Sequence, residues 1–337
     1  MNIRVILLFF IVSAATASTK LFVLGTGTPN PNPERMGSSY LVLANDEPYL
    51  FDFGTGVIRR IAAFSPSWGG DYKALEVENI KHAFLTHIHS DHTLGLADLI
   101  ITPWIMGRSD PLKIYGPKGA KNMHTNIIEA YQPDIDYRIY GTQPQNNTGY
   151  NVIFTELKDR FIFEDKNIKI TAFLNDHGDL QESYGFFIET ADKKILISGD
   201  TAKSKNLISY GKDLDYLIHE IYSQKGFNNK TPDWQKYHKA HHTGPKDVAA
   251  IANLLKPKNL ILSHILFWGS AEQEILDEVK TYYSGTVIVA EDGMVFDETY
   301  ESFFFNNSLT KPGLAFPCVA FITCPTKKPN NLSLPDL

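Results

Sequence analysis

Residues 86–96 of this 337-residue chain read THIHSDHTLGL, and this stretch decides which fold the chain has to build. Within it, six positions hold His87, His89, Asp91 and His92. Their spacing matches neither one face of a strand nor one face of a helix, so the segment is predicted to be a turn after the apolar strand KHAFLT. Neutral imidazole and ionised carboxylate suit borderline metals such as zinc. The cluster therefore predicts a metal site, and a hydrogen-bonded polar loop is the alternative.

Three further candidate ligands each follow an apolar strand pattern. His177 comes after IKITAFLND, Asp200 after KKILISG and His264 after NLILS. A single histidine at a strand end is more often a satisfied loop residue than a ligand. Four strand ends that all terminate in ligand chemistry favour a site built by the fold. Seven candidates exceed the four positions of one tetrahedral zinc, and they suit two metals that share a carboxylate and a water.

The remaining pattern predicts an α/β protein in layers. Short strand-like runs such as KLFVLGTGTP and YLFDFGTG are separated by glycine and proline, and helical periodicity appears in GAKNMHTNIIEAY and PKDVAAIANLL. We expect an αββα sandwich of two mixed sheets flanked by helices, spanning residues 18–300. Residues 135–165 are expected to form a loop or small subdomain, TVIVAEDGMVFDE a hairpin, and residues 301–337 a C-terminal appendage. His82, His124 and His238 are expected at the surface, and His219 at the edge of the core.

Charge and the N-terminus limit the partners and the compartment. The formal net charge is -6, so the basic excess typical of proteins that follow a phosphate backbone is lacking, and nucleic acid is an unlikely partner. Residues 1–17 carry Arg4, an apolar run and small residues at Ala15 and Ala17, which is the pattern of a cleaved signal peptide. Export to the periplasm or the medium is expected, with no stable membrane anchor after cleavage. An uncleaved anchor is the alternative, and a disulfide between Cys318 and Cys324 stays open.

Taken in order, HIHSDH, DHG, SGDT and LSH, with GTGTP and FDFGTG upstream, resemble the metallo-β-lactamase fold and its ribonuclease Z-like branch. The resemblance covers roughly residues 20–298. It implies that His87, His89 and His177 hold one zinc ion. It also implies that Asp91, His92 and His264 hold a second, with Asp200 as the bridge. Manganese or iron could replace zinc. Asp52 matches the aspartate that the family places beside the metals, and Glu220 is expected to hydrogen-bond a ligand.

Two features narrow the branch. The segment HHTGPKDVAAIA resembles the H-x-T motif of the ribonuclease Z branch, which implies that His241 and Thr243 lie beside the metals; a polar loop before a helix is the alternative for His241. A tRNA-processing member would carry a long basic arm between its HG and SGDT elements, and here that interval has room only for a strand pair. Such a chain is more similar to the secreted relatives of the branch, which include arylsulfatases and phosphodiesterases.

These features together predict an exported binuclear zinc-dependent hydrolase of small phosphoric or sulfuric esters. Two metals would lower the pKa of a bridging water, while Asp91 or His241 moves protons. A ribonuclease Z-like tRNA endonuclease, a carboxylic ester or lactone hydrolase and a non-catalytic metal-binding module are the alternatives, and monomer or homodimer stays open. Four aromatic side chains could line a substrate pocket or serve as packing: Trp234, Tyr237, Phe267 and Trp268.

Overall fold

Two seven-stranded mixed β-sheets form the centre of the computed structural model, which describes residues 18–297. The strands of the first sheet, in the order β14-β1-β2-β3-β4-β5-β6, are β1 (Thr19–Gly25), β2 (Ser39–Ala44), β3 (Glu47–Phe51), β4 (His82–Phe84), β5 (Leu112–Gly116), β6 (Val152–Glu156) and β14 (Val295–Phe296). The strands of the second sheet, in the order β13-β12-β11-β10-β9-β8-β7, are β7 (Ile162–Glu164), β8 (Ile168–Leu174), β9 (Tyr184–Thr190), β10 (Lys194–Ile197), β11 (Tyr216–Tyr222), β12 (Asn259–Leu266) and β13 (Val287–Val289).

The positions of the helices depend on how consecutive strands are connected. Antiparallel neighbours such as β1–β2 and β8–β9 follow each other closely in the chain, whereas the parallel pairs β4–β5 and β11–β12 are separated by helices that cross over a sheet. The helices are α1 (Val57–Ala62), α2 (Ser90–Thr93), α3 (Leu96–Ile105), α4 (Lys118–Ala130), α5 (Gln132–Tyr140), α6 (Lys205–Tyr210), α7 (Gln224–Asn228), α8 (Pro232–His241), α9 (Pro245–Leu255) and α10 (Glu272–Lys280). Short 3₁₀ turns cover Pro66–Trp68, Lys73–Leu75 and Val77–Asn79.

The core lies in three layers, because each sheet is covered on both faces. Between the sheets, Phe51 and Phe84 of the first sheet meet Phe186 of the second, with ring centroids 5.4 and 6.0 Å apart. The Tyr40 hydroxyl donates a hydrogen bond across the same layer to Ser263 Oγ at 2.7 Å. Apolar clusters on the two outer faces hold the flanking helices. The predicted αββα sandwich is therefore confirmed.

One local prediction about the fold holds only in part, and another is wrong. Residues 141–151 form the expected loop, but residues 135–165 also contain the end of α5 and the edge strands β6 and β7, whose half-exposed sides gave no clear strand period. The segment TVIVAEDGMVFDE is not a hairpin, because β13 pairs with β12 in one sheet and β14 with β1 in the other. The predicted signal peptide, the appendage and both cysteines lie outside the described residues.

Arg108 fastens the middle of helix α3. Pro103 has no N–H, so the carbonyl of Leu99 one turn earlier lacks its usual helical donor. Arg108 is 2% exposed, and its Nη1 donates to Leu99 O at 3.1 Å. Its Nη2 donates to Ile100 O at 2.8 Å and its Nε to Gly149 O at 3.1 Å. A proline that would weaken α3 is thus compensated by one buried guanidinium.

Candidate metal centre

The predicted ligands meet at one edge of the sandwich, where several strands end. The turn after β4 and the start of α2 supply His87, His89, Asp91 and His92. His177 follows β8 and Asp200 follows β10. His264 lies inside β12 and not at its end: the strand runs on to Leu266, and the register with β11 shifts at this residue. A β-bulge of this kind re-aims a side chain, and here it turns His264 toward the turn after β4.

His87, His89 and His177 form the first group of converging donor atoms. His87 Nε2 lies 3.0 Å from His89 Nδ1, and His177 Nε2 lies 3.1 Å from the same atom. The three residues offer one nitrogen each, all within 4.8 Å of one another. Three imidazole nitrogens at this separation can coordinate one cation.

Asp91, His92 and His264 form a second group, and Asp200 lies between the two. His264 Nε2 lies 2.8 Å from Asp91 Oδ2, and His92 Nε2 lies 3.5 Å from the same oxygen. Asp200 Oδ2 lies 3.9 Å from His87 Nε2 and 3.5 Å from His264 Nε2. Asp200 thus reaches both groups, as a bridging carboxylate would. The structure brings all seven predicted residues together, while their assignment as ligands of particular metals stays a prediction.

The chemistry of the cluster fits divalent cations. Several buried polar atoms have no hydrogen-bond partner within residues 18–297, among them His92 Nε2, Asp200 Oδ1 and His264 Nδ1. Such orphaned atoms are rare in proteins and call for an ion or a water. Asp52 and His264 also adopt positive φ values of 57 and 46°, which are unfavourable for residues with a Cβ. Backbone strain and unpaired donors together favour a metal-binding role over a hydrogen-bonded loop.

Residues around the cluster hold several of its imidazoles in place. Asp52 Oδ2 accepts from His92 Nδ1 at 2.7 Å, and its Oδ1 accepts from the backbone N–H of Thr86 at 2.7 Å. His177 Nδ1 lies 2.7 Å from the backbone carbonyl of His241. Contacts of this kind leave Nε2 of each ring for the cation and fix the ring orientation. The predicted position of Asp52 beside the cluster is therefore what the structure shows.

The protonation of the cluster also favours a bound cation. Burial lowers the pKa of His87 well below 6.5 and that of His177 to about 4, so both rings are neutral at pH 7. Burial opposes ionisation of Asp200, yet His264 and His92 hold the pKa of its carboxyl well below its usual range. Burial would lower the pKa of His92 as well, but Asp91 and Asp200 raise it well above 6.5. The negative charge of the Asp91 and Asp200 carboxylates is thus stabilised by positive charge between them, which metal ions would supply.

The structure distinguishes His241 from His242, which the sequence could not. His241 ends α8; its Nδ1 lies 2.8 Å from Tyr237 O, and its ring lies so close to Gly178 that a Cβ there would be 2.1 Å from it. His242 leaves the helix in extended conformation, and its Nδ1 lies 3.9 Å from Asp200 Oδ2 and 3.3 Å from Glu220 Oε2. The catalytic role of His241 stays a prediction, and His242 is a second candidate that the sequence analysis missed.

Glu220 and Thr243 form the layer behind His242. Glu220 Oε1 accepts from the backbone N–H of Thr243 at 2.7 Å, and the Thr243 hydroxyl donates to Thr201 O at 2.6 Å. Burial and then Asp200 raise the pKa of the Glu220 carboxyl well above its usual range. His219, the residue before it, was predicted at the edge of the core and is fully buried inside β11. Glu220 is therefore in reach of His242, the histidine next to Asp200.

A pocket of about 350 Å³ opens onto the cluster. Its lining includes Asp91 and Asp200 together with Trp234, Tyr237 and Trp268, three of the four aromatic side chains expected to line a pocket or serve as packing. His238 also lines the pocket; it is 9% exposed, as are His82 and His124, so the prediction that these three lie at the surface is wrong. All three pack against aromatic rings: His82 and His124 against rings distant in sequence, and His238 against Trp234 one turn earlier on α8.

Phe267 lines a neighbouring pocket of about 260 Å³ that shares Asn30 and Trp268 with the first. The loop of residues 27–35 separates the two pockets, and Asp292 ties down both of its ends. The carboxylate of Asp292 accepts from the backbone N–H of Thr26 at 2.9 Å and from that of Met36 at 2.6 Å. This loop brings Pro29 and Asn30 to the wall of the metal pocket.

The fold and the clustered histidine and aspartate side chains define the class of protein as the metallo-β-lactamase fold. The structure is similar to the metallo-β-lactamase fold protein YhfI from Bacillus subtilis, with a TM-score of 0.62 and 20% identity over 83% of this chain and 99% of that chain. It is also similar to the short form of human tRNase Z, with a TM-score of 0.61 and 23% identity over 82% of this chain and 98% of that chain. At these identities the likeness shows the fold.

The sequence comparisons define the family within that class. The chain is 28% identical over 279 residues to the ribonuclease Z of Mycobacterium bovis, covering 81% of this chain and 96% of the relative. It is 32% identical over 202 residues to that of Mycolicibacterium paratuberculosis, covering 59% of this chain and 69% of the relative. Residues 19–231 match the family described as Anti-Pycsar protein Apyc1. The chain belongs to this family, within the ribonuclease Z-like branch, and is a metal-dependent hydrolase acting on ester bonds.

Proposed function

We propose that the chain is an exported binuclear zinc-dependent hydrolase whose substrates are small phosphoric or sulfuric esters, phosphodiesters above all. The observation that carries the proposal is the pocket of about 350 Å³ with Asp91 and Asp200 in its wall. This volume is near the lower end of the range for small-molecule binding sites, so the pocket suits a compact ester. Two divalent cations at the cluster would polarise the ester and supply a nucleophile near neutral pH.

Asp91 and His242 are the side chains best placed to move protons. Asp91 lines the pocket with its carboxylate, so it can hold and orient a proton near the reacting atoms. His242 lines the same pocket, and its Nδ1 lies 3.3 Å from Glu220 Oε2. We assign His242 the proton that the leaving group requires and Glu220 the orientation of its ring.

The second candidate function, processing of precursor tRNA, is favoured by the name of the curated relatives, ribonuclease Z. Two observations weigh against it in this chain. Between His177 and Asp200 the structure has only the strand pair β9 and β10, which leaves no room for a basic arm. The net charge of -6 also opposes the phosphate contacts that supply much of the affinity for RNA.

The family description adds a biological role to the proposal. The matched family is named Anti-Pycsar protein, and we extend that role to this chain, so that its hydrolase activity would act against Pycsar. Cells that carry a Pycsar system and express the wild-type chain should lose that system's effect. Cells that express Asp91→Ala at the same level should keep it. Equal behaviour of the two strains would contradict the role.

Export is part of the proposal and rests on the pattern of residues 1–17. Within residues 18–297 no helix combines the length and the apolar character needed to cross a bilayer. N-terminal sequencing of the protein from its native host should find a mature chain that begins near Ser18. Intact Met1 in the membrane fraction would refute export.

The proposed activity is tested by a screen of the purified full chain on nitrophenyl phosphodiesters, phosphomonoesters, sulfates and acetates. We expect metal-dependent hydrolysis of a phosphodiester or an aryl sulfate, and neither binding nor trimming of precursor tRNA at physiological salt. His242→Ala should lower kcat by about 10²-fold or more, which is the size of a general acid's contribution, whereas a loss of metal would show that His242 is a ligand together with Asp200 and His264. The matched variant His241→Ala separates the two neighbouring histidines. Efficient trimming of tRNA would overturn the proposal.

A further inference from the structure

Lys230 lines the metal pocket beside Trp268. It lies between α7 and α8, and its Nζ is 4.7 Å from the centroid of the Trp268 ring. Among the described residues that line this pocket it is the single lysine or arginine. The pocket therefore combines the carboxylates of Asp91 and Asp200 with one ammonium group.

The ammonium group of Lys230 has no carboxylate partner within the described part of the fold. Its neighbour Lys225 pairs with Glu274 at 2.6 Å, and Lys203 pairs with Asp247 at 2.9 Å. Lys230 enters no ion pair within residues 18–297, although it is half-buried at the pocket. A partly desolvated ammonium without a carboxylate can bind an acceptor on a ligand.

The surrounding aromatic rings hold Lys230 in place. Trp268 has a φ of 46°, a strained conformation for a bulky residue, and Gly226 makes room for it, because a Cβ there would lie 2.7 Å from Trp268 Cβ. Its indole contacts Lys230 as well as His238, whose ring centroid is 4.4 Å away, and Tyr222 at 5.9 Å. Because these three side chains already surround the indole, it is better placed to position Lys230 than to stack on a substrate.

We propose that Lys230 is a specificity-determining residue, which binds an oxygen acceptor on the organic part of the ester while the scissile group lies at the metal ligands. This rests on the proposed function and names its substrate class: small esters whose organic group carries a carboxylate, a phosphate or a carbonyl oxygen. A charged acceptor binds more tightly than a carbonyl, because a hydrogen bond between two ions is about twice as strong as a neutral one.

The test compares 4-nitrophenyl phosphodiesters of three alcohols: benzyl, 4-carbamoylbenzyl and 4-carboxybenzyl. For the wild-type protein we expect KM to fall along this series, by about tenfold from benzyl to 4-carboxybenzyl, which is the lower range for a charged hydrogen bond. Lys230→Met keeps the length of the side chain and removes its charge. It should abolish the preference, so that KM becomes nearly the same for the three esters, and Lys230→Arg should restore it.

Lys236→Met is the matched control, since Lys236 lies on α8 with an exposed side chain and outside the pocket lining. The assignment of Lys230 would be overturned if Lys230→Met kept the preference for the 4-carboxybenzyl ester, or if Lys236→Met lost it equally. Either result would leave the hydrolase function intact. Calorimetric binding of benzyl phosphate and 4-carboxybenzyl phosphate needs no turnover. If the wild type cleaved none of the esters, the proposed function would fail, and these affinities would still decide the role of Lys230.

Discussion

Asp52→Asn should weaken metal binding without unfolding the protein. The Asp52 carboxylate accepts three buried hydrogen bonds: from His92 Nδ1 at 2.7 Å, from Thr86 N at 2.7 Å and from Thr86 Oγ1 at 2.9 Å. An asparagine keeps one acceptor oxygen, but it loses the negative charge beside His92. Its conformation is not at issue, because Asp52 has a φ of 57°, a region that asparagine tolerates well.

The magnitude follows from the bond to His92. A hydrogen bond with one charged partner contributes about 1.5–3 kcal/mol, which is about a 10- to 100-fold change in an equilibrium constant. Removal of a residue that orients a metal-bound histidine costs metal affinity in the same range, about 10- to 100-fold. We therefore expect Asp52→Asn to raise the dissociation constant of at least one metal by that factor.

Competition against a chromophoric chelator measures this constant, and circular dichroism checks the fold. Asp165→Asn is the matched control, because Asp165 accepts a hydrogen bond from Tyr49 Oη at 2.6 Å and is not among the metal-site residues. The control should bind metal as the wild type does. If Asp52→Asn is folded and binds metal with wild-type affinity, the orienting role of Asp52 is refuted.

Three further outcomes are expected. Burial lowers the pKa of His219 to about 4. Between pH 6.5 and 4, His219 is therefore protonated in the unfolded chain but not in the folded chain. The free energy of unfolding therefore decreases as the pH falls. Measured by urea unfolding, its decrease between pH 7 and pH 5 should be smaller by about 2 kcal/mol in His219→Leu than in the wild type. Asp292→Ala should release the loop of residues 27–35 and raise KM severalfold at unchanged metal content; an unchanged KM would contradict its anchoring role. Arg108→Met should lower the free energy of unfolding by about 3 kcal/mol, and a loss below 1 kcal/mol would show that the freed carbonyls find other partners.

The layered fold and the ligand cluster were predictable for physical reasons. Apolar runs that end in His or Asp mark strands whose ends meet at one sheet edge, so His177 and Asp200 could be placed near the HIHSDH turn from the sequence. His264 was also identified, but for a partly wrong reason. Its side chain is directed by a bulge inside β12, and a bulge depends on the pairing of two strands distant in sequence.

Other parts of the site depend on tertiary structure that local patterns do not encode. Whether His241 or His242 faces the pocket is decided by where α8 ends, and two adjacent histidines carry no local signal for that boundary. His82 was predicted to lie at the surface, since the rings that enclose it, Tyr49 and Phe163, come from distant parts of the chain. Likewise, β13 and β14 were predicted to pair with each other, although each completes a different sheet.

The central claim is that the seven clustered residues hold two metal ions, and the metal content of the purified full chain tests it most directly. After exhaustive dialysis against metal-free buffer and reloading with zinc, elemental analysis should find about two zinc ions per chain, as two groups of donors with a shared carboxylate require. Asp200→Ala should retain fewer, because its carboxylate reaches both groups. A wild-type content of one ion per chain or less would contradict the binuclear site.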